Sequence, residues 1–184
     1  MASRLLNRDE ACLLVIDVQE KLLPVMYGVD LIVERCLRLV QASGILGLPV
    51  IVTEQYPQGL GPTAPALAEA LPPGSPVYEK TTFSSLGNPQ VAAHLKTLGR
   101  RQVIVCGIES HVCVNQSVHT LLAEGCEVHV VLDAIGSRDK KNHKAAVAKM
   151  TQSGAIPASS EAVLFELCRD AKDPAFKALH SLIK

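Results

Sequence analysis

Aromatic residues are scarce in this chain: three Phe, three Tyr and no Trp in 184 residues. A folded core must therefore be filled by aliphatic side chains and alanine, and the 48% hydrophobic content is enough to supply one. Net charge is missing too, because eighteen acidic and eighteen basic side chains cancel. No basic patch or stripe stands out, which argues against a nucleic-acid partner. The longest apolar runs are strand-length, too short to cross a bilayer, so no membrane partner is expected. No signal or transit segment is evident, since Asn7-Arg8-Asp9-Glu10 interrupts the apolar start at Leu5-Leu6. CxxC spacing is absent among Cys12, Cys36, Cys106, Cys113, Cys126 and Cys168. These read as reduced, buried thiols of a cytoplasmic protein. With no internal repeat, low-complexity tract or dividing linker, residues 1–184 read as one domain.

What the chain does have is alternation. Ala11 to Ile16 is a continuous apolar run ending at Asp17, followed by a helical face of Ile32, Cys36, Leu39 and Val40 closed by Ser43-Gly44. Further strands read at 49–53, 76–79, 102–106, 127–132 and 155–156. Helical patterns lie between and after them, near 64–71, 91–98, from Cys113 onward, and near 143–153, 161–168 and 174–182. The Tyr56 to Pro62 segment reads as a Gly/Pro-rich loop. Continuous apolar strands separated by amphipathic helices imply a mainly parallel, six-stranded sheet covered on both faces. The fold class is thus a doubly wound, Rossmann-like three-layer α/β/α domain.

In such sheets, chemistry gathers beyond the carboxyl ends of the strands, near the point where strand order reverses. Asp17 ends the first strand, Lys80 follows the third, and Cys113 lies just past the fourth. An order of 3-2-1-4-5-6 would set Asp17 and Cys113 on either side of that point, although periodicity alone leaves the order open. A strand ending near Gly107 and a helix beginning close to Cys113 place the thiol in a first helical turn, a setting that favours the thiolate. Asp17 is suited to take the thiol proton and return it to a leaving amine, with Lys80 as charge partner. Singly, each residue has a plainer reading: a capping Asp, a solvated Lys, a small buried Cys. Their joint placement at three strand ends is the signal. His111 stands two residues before Cys113, and residues two apart at a helix start point in different directions, so a Cys–His dyad is not expected.

Three segments carry a resemblance. Asp17-Val18-Gln19, Lys80-Thr81-Thr82-Phe83-Ser84 and Gly107-Ile108-Glu109-Ser110-His111-Val112-Cys113-Val114 resemble, in order and spacing, the signature segments of the isochorismatase-like cysteine hydrolases. That superfamily includes nicotinamidases, N-carbamoylsarcosine amidases and isochorismatases. Asp133-Ala134, His143 and Ser153-Gly154-Ala155 resemble its later landmarks. Thr53 to Gly61 is similar to the isochorismatase domain-containing subgroup. The resemblance covers nearly the whole chain and implies that its fold is the isochorismatase-like hydrolase fold. It also implies that Asp17, Lys80 and Cys113 form a catalytic triad, and that a cis peptide joins Ile108 to Glu109. The Glu109 and Cys113 N–H groups would then serve as an oxyanion hole.

Retention of Cys113 favours attack on a carbonyl carbon, hence cleavage of a small amide, carbamoyl or ureide C–N bond through a thioester. Isochorismatases proper lack that cysteine. The Glu54 to Gly61 stretch contains no histidine, so neither a catalytic metal nor any other cofactor is expected. Phe83, Tyr56, Ile108 and Val112 are candidate pocket walls for the small-molecule substrate, with core packing the alternative for Phe83 and Val112. Relatives of this kind commonly form homo-oligomers. Two rival readings stand beside the hydrolase: a reactive-thiol or redox protein using Cys113, and a non-catalytic oligomeric binding module.

Overall fold

The computed structural model describes residues 4–184, so Met1 to Ser3, where the stretch read as lacking a leader begins, lie outside the described residues. Six strands form one sheet: β1 (Ala11–Ile16), β2 (Val50–Gln55), β3 (Val77–Lys80), β4 (Gln102–Ile108), β5 (Glu127–Gly136) and β6 (Ile156–Ala158). Their order is β3-β2-β1-β4-β5-β6, and every pairing is parallel. All six residues of β1 are buried, as a central strand with both faces covered requires. Successive side chains go to opposite faces. Leu13 and Val15 join one core cluster, while Cys12, Leu14 and Ile16 join the other.

The first cluster is closed by α1 (Val29–Leu46), α3 (Pro65–Ala70), α7 (Ser160–Cys168) and α8 (Phe176–Ser181). On the opposite face lie α4 (Pro89–Leu98), α5 (Asn115–Ala123) and α6 (Lys140–Gln152). The remaining helix, α2 (Pro57–Leu60), is one short turn inside the segment read as a loop. Several boundaries differ from the sequence pattern for identifiable reasons. Ser43-Gly44 does not stop α1. The Ser43 hydroxyl donates to the Leu39 carbonyl, and the helix ends instead at Gly47 in the left-handed conformation. Lys80 is the last residue of β3 rather than the first beyond it. A register shift opposite Val105 and Gly107 lets β5 continue to Gly136, past the apolar run that marks its start.

Strand order reverses between β1 and β4, the pair that share the register Ile16↔Gly107. Gly107 has φ 117, and a Cβ there would overlap the Ile16 carbonyl oxygen. Only glycine lets the two strand ends approach this closely. The switch point therefore lies directly between the segments that carry Asp17 and Cys113.

Candidate active site

Asp17 follows β1 with φ 53, and its N–H donates to the Thr53 carbonyl at 3.0 Å. Its carboxylate is fully buried. Oδ1 accepts the Thr53 hydroxyl at 2.7 Å, and Oδ2 accepts Lys80 Nζ at 2.7 Å. Lys80 is buried as well, and its ammonium also reaches Gln55 Oε1 at 2.7 Å and the Thr82 and Phe83 carbonyls at 3.3 Å. An ammonium has three protons to donate, so four acceptors saturate it.

Cys113 sits on a π-helical turn, Ser110–Val114, that leads into α5. The turn follows a cis peptide between Ile108 and Glu109, as the resemblance implied. The Val112 and Val114 N–H groups both donate to the Glu109 carbonyl, at 3.0 and 3.2 Å. The thiol is buried and points to Gln55 Oε1 at 4.0 Å. Burial first, then the Asp17 carboxylate, pushes its pKa up to about 12, while Lys80 pulls the other way. This corrects the expectation of a thiolate favoured by a helix terminus. Solvent exclusion and the facing Asp17 carboxylate both oppose ionisation of the thiol where it stands.

Burial likewise holds the Asp17 carboxyl above the ordinary aspartate range, against the opposing effects of Lys80, Cys113 and Thr53. The arrangement is one neutral ion pair beside one neutral thiol. Ionising the thiol alone would leave the cluster with a net negative charge away from water. Proton transfer from Cys113 to Asp17 avoids that cost, because total charge does not change.

Three residue pairs, joined by four hydrogen bonds, fix the turn from the outside. The Glu109 carboxylate accepts the Arg138 backbone N–H at 3.0 Å and Arg138 Nε at 3.1 Å. Ser110 Oγ meets His143 Nδ1 at 3.0 Å, and His111 Nδ1 meets Ser137 Oγ at 3.0 Å. His111 is thus paired with the β5–α6 loop rather than with Cys113.

The candidate walls fare unevenly. Tyr56, half exposed, lines an open cleft of about 330 Å³ with Pro57, Gln58, Lys80 and Thr82. The Phe83 side chain is half exposed and not part of the core. Val112 is partly buried against the α5-side core. Ile108 is no wall: it is wholly buried among α1-side residues because the β4 alternation turns it there. Among the described residues, no group of three or more His, Cys, Asp or Glu gathers as a metal site.

The sequence reading did not single out Thr53, Gln55 or Arg138. The change from apolar Val50-Ile51-Val52 to polar Thr53-Glu54-Gln55 at a strand end was a usable signal for the first two. Nothing local marks Arg138.

An isochorismatase domain model matches residues 11–162. Isochorismatase domain-containing protein 2 of Danio rerio is 42% identical over 180 residues, spanning 97% of this chain and 89% of its own length. Among solved structures, MAR1 ribonuclease from Caenorhabditis elegans superposes with a TM-score of 0.93 at 41% identity, over 97% of this chain and 91% of that one. The YcaC gene product of Escherichia coli, described as an octameric hydrolase of unknown specificity, has a TM-score of 0.93 at 26% identity. That match covers 99% of this chain and 92% of YcaC.

Proposed function

The chain belongs to the isochorismatase-like hydrolase family, and from that premise we propose that it is a cysteine hydrolase cleaving a C–N bond of a small amide, carbamoyl compound or ureide. The observation that carries this reading is the wholly buried Asp17–Lys80 ion pair beside the buried Cys113 thiol. Cys113 Sγ attacks the carbonyl carbon as Asp17 takes the thiol proton, and the carbonyl π electrons move onto oxygen. The Glu109 and Cys113 N–H groups hold that oxyanion, at about 2.7–4 kcal/mol per donor. Collapse expels the amine, which takes the proton from Asp17, and leaves a thioester. Water then adds to the thioester with Asp17 as base, releasing the acid and restoring the thiol. Lys80 keeps the carboxylate in place throughout.

This reading needs no metal or other cofactor, since the Glu54 to Gly61 segment supplies no histidine. The Asp17–Lys80 pair beside Cys113 favours hydrolysis over the redox reading, because a buried carboxylate can take the thiol proton and return it to a leaving amine, a service that thiol oxidation does not need. A buried ion pair is a weak contributor to stability, which disfavours a fold kept for binding alone. The substrate is a small molecule rather than RNA, despite the name of the C. elegans relative: the chain has no net charge, and Lys80 is already saturated. By analogy with the E. coli octamer we place the protein in a homo-oligomer. We also assign it to the cytoplasm; no helix among the described residues is long and apolar enough to cross a membrane.

A panel of small amides, carbamoyl compounds and ureides, read by intact mass for an acyl adduct, tests the mechanism. Cys113→Ala is expected to lose both turnover and adduct. Full turnover in that variant would reject covalent catalysis.

A further inference from the structure

We propose that the cleft between α1 and the end of β5 is a second ligand site, which holds a small apolar monocarboxylate against Lys140 and His143. The cleft has a volume of about 340 Å³, within the range of small-molecule pockets. Leu31 and Ile32 of α1, with Leu132 and Ile135 of β5, form its apolar walls. Lys140 and His143 also line it, and being three residues apart on α6 they are neighbours on one helix face. None of Asp17, Lys80 and Cys113 belongs to its lining.

Lys140 is a cation without an anion. Its ammonium stands 4.0 Å from the centre of the Tyr27 ring, and it has no ion pair among the described residues. A ring face attracts the charge without using up its N–H donors. His143 is engaged at one nitrogen only. Nδ1 meets Ser110 Oγ at 3.0 Å, and Nε2 has no partner among the described residues. Nε2 carries hydrogen in the tautomer whose Nδ1 accepts the Ser110 hydroxyl, and also in the imidazolium. Both forms can donate to a carboxylate oxygen. The one acid in the lining, Asp133, is already taken: it accepts the Ser160 N–H and hydroxyl at 2.7 Å each and pairs with Arg35 at 3.6 Å. The uncompensated charge is therefore positive and the walls are apolar, a combination that selects an anion with a short hydrocarbon body.

One side chain ties this cleft to the candidate active site. Ser110, the partner of His143, is fully buried and opens the π-helical turn that carries Cys113. Burial holds the His143 pKa below its ordinary value, so the ring of the empty site is largely neutral at pH 7. The other titratable groups around it are Lys140, Asp133 and Tyr27 in the cleft, and His111, which is bonded to Ser137. A carboxylate beside Nε2 favours the imidazolium, whose Nδ1 then donates to Ser110 Oγ. By reciprocity, the ligand raises the His143 pKa, and protonation of His143 tightens binding of the ligand.

The probe is sodium hexanoate, with 1-hexanol and hexylammonium chloride as uncharged and cationic compounds of the same length. Each is titrated into the full chain at constant ionic strength, while NMR follows the imidazole signals of the six histidines, assigned through the backbone. Hexanoate is expected to bind saturably, to shift the His143 signals and to move the His143 titration midpoint to higher pH. The other two compounds should bind at least about fivefold more weakly, as loss of an exposed charge contact implies. Lys140 is exposed, so substitutions there leave the core untouched. Lys140→Gln is expected to weaken hexanoate by about fivefold, and Lys140→Glu to abolish the His143 response. An unmoved His143 midpoint, equal binding of 1-hexanol, or affinity indifferent to Lys140 overturns the proposal. So does the absence of any binding, the result expected if a second copy of the chain covers the exposed Tyr27 and Leu31 instead. No hydrolysis is read in these titrations, so a failed amide screen and a failed hexanoate titration are separate results.

Discussion

Lys80 Nζ lies 2.7 Å from Asp17 Oδ2, with both side chains wholly withdrawn from solvent, although their strands are not neighbours. β2 runs between β1 and β3, and its end supplies the linking groups: Thr53 bonds Asp17, and Gln55 bonds Lys80. The pair is therefore embedded in a four-residue network, and its members are not independent.

Removing one partner should be far worse than removing both. Lys80→Met leaves a buried carboxylate without its cation and is expected to cost about 3–5 kcal/mol. The double variant Asp17→Leu/Lys80→Met should recover most of that loss while remaining inactive. Urea unfolding of the three proteins measures both effects. A double variant no more stable than Lys80→Met alone would contradict the embedded-pair account.

Stability should also fall steeply in alkali. The ordinary cysteine value is 9.0, and burial raises both Cys12 and Cys113 to about 12. Between these values the folded state keeps protons that the unfolded chain releases. The contribution is therefore fully present below 9.0 and is lost as pH rises through about 12. Each such thiol adds a slope of about 1.4 kcal/mol per pH unit within that window. Cys12→Ala is expected to flatten the profile by about that amount, whatever constant cavity cost it adds. An unchanged slope from pH 9 to 11, in denaturant titrations of variant and parent, would show that Cys12 ionises at its ordinary value.

Much of this site was legible in the sequence because it depends on where strands end. The continuous run from Ala11 to Ile16 marks a central strand, and Asp17, Lys80 and Cys113 then fall at strand ends by spacing alone. The missing parts depend on register and burial. Gln55 meets Lys80 only because the β2–β3 pairing sets those two residues side by side, a relation no local pattern carries. The upward pull on the Cys113 pKa follows from solvent exclusion and from Asp17, whereas the sequence offered only a helix start. Ile108 joins the core because β4 extends two residues beyond the apolar run that signals it.

The tether between Glu109 and Arg138 should depend unequally on its two ends. The Arg138 side chain is 61% exposed and that of Glu109 only 10%. Arg138→Ala removes the solvent-screened guanidinium contact but keeps the backbone N–H bond, so a loss of less than about 1 kcal/mol is expected. Glu109→Ala removes both bonds at a nearly buried acceptor and should cost about 1–3 kcal/mol. Thermal and urea unfolding of the two variants decide the matter. Equal losses would mean that the guanidinium, not the backbone bond, carries the contact.

Gly107→Ala tests how tightly the switch point must close. The φ of 117 lies where L side chains are rarely found, and the new Cβ would overlap the Ile16 backbone carbonyl, which has no flexible end to move aside. Relief would require β1 and β4 to separate just before Asp17 and Ile108, in the middle of the sheet. A loss above about 4 kcal/mol is expected, enough to unfold a marginal domain. Gly28→Ala is the internal comparison. It also has positive φ, 68, but a Cβ there meets nothing within 4 Å. Its cost should be the conformational one alone, about 1–2 kcal/mol. Soluble yield and melting temperature of the two variants separate clash from conformational strain. If Gly107→Ala melts close to Gly28→Ala, the β1–β4 approach is softer than the overlap implies, and Asp17 and Cys113 do not depend on it for their positions.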